Sequence, residues 1–480
     1  MPLVLGIDSS TQSTKVEVRD ADTGRLVASG HAPHRTTNPP RSEQDPGQWW
    51  NALIAAIGQT GKREIAALSV AGQQHGMVVL DAAGAVLRRA KLWNDTESAP
   101  EAAAMTAAIG AERWARTVGS VPVASFTITK LAWLAKHEPR IFGRVATVLL
   151  PHDYLTFRLT GRLVTDRGDA SGTGYWSPSE GVWRTDVLDR AVGKPTEGAW
   201  ASRLPAVLGP SDPSDWLSAS MYEPLGLRGR PLCGPGTGDN MAAALGIGLR
   251  PGDVAISLGT SGTVYAVAEH PTADPSGMVA GFADATGRFL PLVCTLNATQ
   301  VTDAVERLLG VDSDELARLA LRAPAGSRGL VLLPYLNGER TPNRPDATGT
   351  LTGIRSNVDR SDVARAAFEG VVCGLLDGLD ALEAAGVDCR GQLHLVGGGA
   401  RSAAFRQIVA DLSGRTVVVV DGDEHVATGA CVQAAAVLHE RPPQEVAEAW
   451  ELGTGESVAP DPRTDADAVR TQYGRLRDMK

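Results

Sequence analysis

The chain has 480 residues, 43% hydrophobic and 21% charged, with a formal net charge of -9. That length exceeds one hydrophobic core and predicts two domains of a globular protein, and the acidic balance argues against nucleic acid or an anionic membrane as main partner. Five cysteines without a C-x-x-C pair (Cys233, Cys294, Cys373, Cys389, Cys431) and no apolar run of about 18 residues predict a cytoplasmic protein with reduced thiols and no membrane span. Leu3–Asp8 is an apolar run ending in a carboxylate, which predicts a buried strand with an acid at its tip. The hydroxyl-rich linker Ser9–Ser13 leads to a second strand with the alternating period of Thr14, Val16 and Val18, and Asp20–Gly24 turns into a third near Arg25–Ser29. Asp45-Pro46 opens a helix carrying Trp49, Trp50, Leu53, Ile54 and Ile57.

The strand Ile65–Val70 runs into Ala71-Gly72-Gln73-Gln74-His75-Gly76, whose amide and imidazole groups beside glycines suit a polyol. Leu92-Trp93-Asn94-Asp95 adds an indole face and two polar groups, a combination that sugar sites use, and 126–138 predicts an amphipathic helix with Leu131 and Leu134 inward. The Pro/Ser/Asp-rich stretch 205–216 is expected to be loop. Gly234-Pro-Gly-Thr-Gly238 is too glycine-rich for a helix or strand, whereas Met241–Gly248 is a run of small helix formers. Asp239 or Asn240 therefore sits where an N-cap belongs, and a carboxylate there is favoured in its ionised form, as a base for a hydroxyl proton must be. An aspartate that merely caps the helix would look the same.

Residues 253–267 repeat the opening of the chain: Ile7, Thr11, Thr14 and Val18 fall on Ile256, Thr260, Thr263 and Val267. Two copies half a chain apart predict a duplicated domain. Asp8 of the first copy is Ser257 in the second. A turn of N–H and hydroxyl donors cradles phosphate without charge, while a carboxylate beside phosphate needs a cation between them. The expectation is that Asp8 helps hold a hydrated Mg²⁺ and that Gly259-Thr260-Ser261-Gly262 grips phosphates. Downstream, helices are predicted over Asp303–Leu309, Ser313–Leu321 and 361–384 (capped by Ser361), and strands over Leu330–Leu333, Gln392–Val396 and Thr416–Val420. Pro334–Pro342 between them is a loop with the pair Glu339–Arg340. The turn Gly397-Gly398-Gly399 before a helix at Ser402–Leu412 makes a nucleotide site plausible, and a last helix is expected at Thr428–Leu438. The alternation predicts an α/β fold with largely parallel sheets. Gly397–Gly399 lacks the third glycine of a dinucleotide fingerprint, and neither a P-loop nor a protein-kinase H-R-D-L is present. Paired strand–turn–strand units with a late glycine turn are the layout of actin-like ATPases.

Two long patterns extend this reading. The first is Ser125-x-Thr127-x-x-Lys130-Leu131-x-Trp133-Leu134-x-Lys136-His137. The second is Gly349-x-Leu351-x-Gly353-Ile354 followed after seven residues by Asp362-Val363-x-x-Ala366-Ala367-Phe368-Glu369, with Gly238-Asp239-Asn240 between the two. With them the chain resembles the FGGY family of carbohydrate kinases over essentially its full length. Ser42–Pro46 with Trp49-Trp50, Gly72–Gly76 and Leu92–Asp95 are similar to the substrate-half motifs of its ketopentose kinases.

The resemblance implies two duplicated actin-like (ribonuclease H-like) ATPase domains with an ATP/sugar cleft between them. Residues 1–242 would be the sugar-binding half and 243–480 the nucleotide-binding half. It implies ATP-dependent phosphorylation of a ketopentose, with Asp239 as proton acceptor and Asp8 as second essential carboxylate and Mg²⁺ ligand. Gln74, His75, Asn240, Trp93 and Asp95 carry over to the sugar, and Thr11, Gly259, Thr260, Gly397, Gly398 and Gly399 to ATP. A homodimer is within the family's range. Two positions depart from the pattern: Gln74 stands where relatives often have Met, and Glu97 where they commonly have Arg. The rival readings are a sibling kinase acting on gluconate, ribulose, fuculose or glycerol, a non-catalytic actin-like sugar sensor, and a dinucleotide-dependent dehydrogenase.

Overall fold

The computed structural model describes residues 1–195 and 198–479. Its chain divides into two compact units, each assembled from three segments. The first comprises Met1–Gly248, Glu269–Leu290 and Glu424–Leu452; the second comprises Leu249–Ala268, Pro291–Asp423 and Gly453–Lys480. The expected division at 242/243 falls close to the end of the first segment, but two later segments return to the first unit. In chain order the elements that frame the sites are β1 (Leu3–Ser9), β2 (Ser13–Asp20), β3 (Leu26–Pro33), α1 (Pro46–Gln59), β4 (Ala67–Gly72), α2 (Thr127–His137), β5 (Thr237–Gly238) and α3 (Asp239–Gly246). They continue with β6 (Val254–Leu258), β7 (Gly262–Ala266), α4 (Thr299–Leu309), α5 (Arg360–Ala384), β8 (Leu393–Val396), α6 (Ala403–Ser413), β9 (Val417–Val420) and α7 (His425–His439).

Both sheets are mixed, which corrects the expectation of largely parallel ones. β1 pairs antiparallel with β2 and parallel with β4; β6 pairs antiparallel with β7 and parallel with β8. The reason is the length of the turns. Three residues separate β1 from β2 and β6 from β7, enough for a hairpin and far short of the dozen a parallel return requires. This shared pairing is the duplication that the repeat announced.

In the first unit α1 starts as its sequence dictates: Asp45 caps it by accepting from the Gly47 amide at 2.9 Å, and Pro46 takes the first helical position. Its Trp49, Leu53 and Ile57 pack with Val16, Val18, Leu68 and Val70 into one buried cluster. Helix α7 also lies on this sheet, against β1, β4 and α3. That return is why residues 424–452 belong to the first unit.

Three local expectations are corrected. Gly238 caps α3, so Asp239 is its first helical residue. Asp359, not Ser361, caps α5, accepting from the amides of Ser361 at 2.7 Å and Asp362 at 3.3 Å, while Asp362 accepts in return from the Asp359 amide at 3.0 Å. The stretch 205–216 contains two short strands, Ala206–Leu208 and Asp215–Trp216, rather than loop alone. Among the described residues no helix is long and apolar enough to cross a membrane.

Candidate active site

The first unit gathers its polar groups at the carboxyl ends of three parallel strands. β4 is flanked by β1 on one side and β5 on the other: Ala71 pairs with Asp8 and with Thr237, and Gly72 with Ser9 and with Gly238. Asp8 at the tip of β1 and Asp239 just beyond β5 thus flank the exit of β4, about two strand spacings (~10 Å) apart. Gln73, Gln74 and His75 leave between them. Ligands of open α/β sheets bind at such carboxyl ends.

The groups are linked. Gln74 Oε1 accepts from Asn240 Nδ2 at 2.5 Å, and Asp239 Oδ1 accepts from the Asn240 amide at 2.9 Å and from Asn240 Nδ2 at 3.1 Å. Gln74 Nε2 is buried and has no partner among the described residues. The Ser10 hydroxyl donates to Asp8 Oδ1. Burial raises the Asp8 carboxyl to about 6, against the pull of Ser10 and of Lys15. Asp239 is half-buried, and burial together with the charges of Asp8 and Asp169 raises it to about 8. Burial first, and then the charges of Asp8 and Asp169, thus oppose the helix terminus, which favours the ionised form of Asp239. Hard oxygen donors short of positive charge are what a hydrated divalent cation fits, so Asp8 and its surroundings suit Mg²⁺.

Thr11 and Trp93 are brought together. Trp93 Nε1 donates to Thr11 Oγ1 at 2.9 Å, which fixes a half-buried indole on the turn after β1. Asp95 is tied into the protein itself. It is fully buried, and it accepts from Lys91 Nζ at 3.1 and 3.2 Å, the Ser42 amide at 2.9 Å and the Glu97 amide at 3.2 Å. Glu43, Asp95 and Glu97 have the spacing of a metal site. Their cation is Lys91, whose ammonium lies 3.2 Å from Glu43, 2.5 Å from Glu97 and 3.9 Å above the centroid of the Trp133 ring. Glu97 also holds Arg41 at 2.9 Å. The Glu97 departure is thus the counter-charge of two cations.

In the second unit the turns expected for ATP lie side by side, because Ser257 of β6 is in register with Val396 of β8. The Gly259 carbonyl accepts from the Thr299 amide at 3.0 Å and the Thr260 carbonyl from the Ala298 amide at 3.1 Å, which docks the start of α4 on the β6–β7 turn and leaves Thr260 exposed. Gly397 has φ 87° and sits so close to the Leu258 carbonyl that a Cβ would come within 2.7 Å of its oxygen. Around Gly398 a Cβ would meet nothing within 4 Å. One glycine makes the turn and the next leaves its backbone open, a cradle that fits a nucleotide.

The profile of the N-terminal domain of the FGGY family of carbohydrate kinases matches residues 3–246, and that of the C-terminal domain residues 254–438. The chain belongs to the FGGY family of carbohydrate kinases. It is 47% identical to a xylulose kinase of Streptomyces rubiginosus over 96% of this chain and 94% of that one, and 48% identical to a xylulose kinase of Streptomyces coelicolor over 95% and 92%. Its fold is similar to the crystal structure of a xylulose kinase from Bifidobacterium adolescentis, with a TM-score of 0.87 and 41% identity over 99% of both chains. FGGY kinases use ATP.

Sequence reasoning missed one cluster in this FGGY kinase. His152 Nε2 lies 3.2 Å from Asp153 Oδ1, 3.4 Å from Asp166 Oδ1 and 3.6 Å from Asp169 Oδ2, all four side chains being buried. Asp166 Oδ2 in turn accepts from Thr237 Oγ1 at 2.7 Å, two residues before Asp239. The available signal was Pro151-His152-Asp153 opening a helix after the apolar Val148–Leu150, with Asp166 and Asp169 three apart in a run of small residues.

Proposed function

We propose that this kinase transfers the γ-phosphoryl group of ATP to the primary hydroxyl of D-xylulose, giving D-xylulose 5-phosphate in xylose catabolism. The observation that carries the reading is near-half identity to xylulose kinases along almost the whole of both chains. The first unit is the sugar-binding half, with His75, Gln74, Asn240 and Trp93 orienting the sugar. The second is the nucleotide-binding half, with Gly259, Thr260 and Gly397–Gly399 receiving ATP, while Thr11 belongs to the phosphate turn after β1. Asp239 accepts the hydroxyl proton. In a loose phosphoryl-transfer transition state little activation of the nucleophile is needed, so orientation by these groups does most of the work. Asp8 would hold Mg²⁺, which when bound neutralises phosphate charge; an Asp8→Asn variant with unchanged Mg²⁺ dependence would remove that role. Cytoplasmic residence and a homodimer complete the reading, the latter to be checked by light scattering.

The test is an ADP-release assay with ATP and Mg²⁺ over D-xylulose, L-ribulose, D-gluconate, L-fuculose and glycerol. D-xylulose is expected to show the highest kcat/KM by at least about tenfold. A different preferred sugar makes the chain a sibling kinase, and ATP binding without turnover on any of them makes it a sensor.

A further inference from the structure

Asp169 stands between two histidines. Its Oδ1 accepts from the His75 amide at 3.3 Å and lies 3.5 Å from His75 Nδ1, while its Oδ2 faces His152 Nε2. Burial alone would push the His152 imidazole down, but the carboxylates of Asp153, Asp166 and Asp169 outweigh it and raise it to about 9, while burial raises Asp169 itself to about 7. A buried carboxylate needs such a counter-charge to remain an acceptor.

The His75 ring is packed against Asp169. His75 has φ 62°, in the left-handed region, and its carbonyl accepts from Thr127 Oγ1 at 3.1 Å. The rings of Phe126 and Phe282 flank the imidazole at centroid distances of 5.3 and 5.2 Å. At Gly172 a Cβ would come within 1.9 Å of His75 Cε1, so only glycine leaves the ring its place. At 3.5 Å the carboxylate stands at ion-pair distance, longer than a hydrogen bond, and favours the proton on the ring nitrogen it faces.

We propose that Asp169 is a positioning residue for sugar recognition: facing its carboxylate, His75 carries the ring proton on Nδ1 and presents Nε2 to the sugar as a hydrogen-bond acceptor. This rests on the reading of His75 as a sugar contact. It explains why a chain of buried charge runs from His152 to the exit of β4.

Asp169→Asn in the full-length kinase tests it. His152 claims the new carboxamide oxygen, which turns the amide NH₂ toward His75 Nδ1 and drives the His75 imidazole to the Nε2–H tautomer. The expected result is a rise in the KM for D-xylulose of at least about tenfold, with the KM for ATP nearly unchanged. Long-range ¹⁵N–¹H spectra of histidine-labelled enzyme should move His75 from Nδ1–H to Nε2–H, the resonances being assigned with His75→Gln. An unchanged KM for the sugar, or equal rises for sugar and ATP, overturns the proposal. If Asp169→Asn does not fold, the wild-type spectrum decides, since an Nε2–H His75 there overturns it. The tautomer is read without substrate, so a failure of D-xylulose as substrate and a failure of Asp169 as positioner are seen separately.

Discussion

Gly429 and Ala242 meet backbone to backbone: a Cβ on Gly429 would lie 1.9 Å from the Ala242 carbonyl oxygen. Gly246 repeats the contact in reverse, its Cβ position lying 1.9 Å from the His425 carbonyl oxygen. Through this crossing α7 presses on α3, the helix that begins at Asp239. Gly429→Ala must part the two helices, at a cost of about 1–3 kcal/mol. A lower urea midpoint for the first unit is expected, together with a fall in kcat as Asp239 shifts. An unchanged midpoint would mean that the crossing relaxes freely.

Asp239→Asn should abolish turnover without abolishing sugar binding. A lost proton acceptor costs at least about a hundredfold in kcat. D-xylulose binding by calorimetry should persist; an unchanged kcat would remove Asp239 from the catalytic role.

The same carboxyl sets a pH dependence. Its folded value is raised from 3.8 to about 8 by burial, Asp8 and Asp169. Between those pH values the folded state holds a proton that the unfolded state has released, so this group's contribution to stability falls as pH rises from about 4 to about 8. Activity, which needs the ionised form, should rise over the upper part of that range. Asp239→Asn removes the cost, on the order of 1 kcal/mol after allowing for solvent access. Its Tm should exceed that of the wild type at pH 8 and converge with it near pH 4. A Tm gap independent of pH would contradict this assignment.

What the sequence disclosed and what it hid have separate causes. Asp8 was legible because an apolar run ends on it, and Asp239 because three glycines precede it and small helix formers follow. Each signal is local. For His152, Asp153, Asp166 and Asp169 the local signal is weaker, a helix opened by Pro151 after an apolar run and Asp166 capping the short helix Arg167–Ala170, and only the fold brings the four together. The long signature patterns proved architectural. Lys130 Nζ donates to the carbonyls of Ala124 and Ser125, Trp133 covers Lys91, and Glu369 accepts from the Gly326 amide and the Ser327 hydroxyl. Nor does the apolar surface of α7 say which sheet it covers, so its return to the first unit was not legible.

Lys91 is the keystone of a charge cluster, and removing it should cost far more than removing any one acid. Lys91→Met leaves the buried Asp95 without its cation and Glu43 and Glu97 with only Arg88 and Arg41, a loss of about 3–5 kcal/mol. Glu97→Gln leaves two acids on Lys91 and should lower the Tm only slightly, with no change in the KM for D-xylulose. A large rise in that KM would give Glu97 a part in sugar binding.

Neighbouring glycines of the nucleotide turn should respond in opposite ways. Gly397→Ala forces a side chain into the left-handed region and against the Leu258 carbonyl, so it should destabilise the second unit by about 1–3 kcal/mol before any ligand is considered. Gly398→Ala adds a methyl where the free protein has room. Its Tm should therefore match the wild type, while the KM for ATP rises by about tenfold or more because the methyl stands where the backbone must approach the nucleotide. The two variants separate fold from binding on adjacent residues. An unchanged KM for ATP in Gly398→Ala would take ATP away from this turn, whatever Gly397→Ala does to stability.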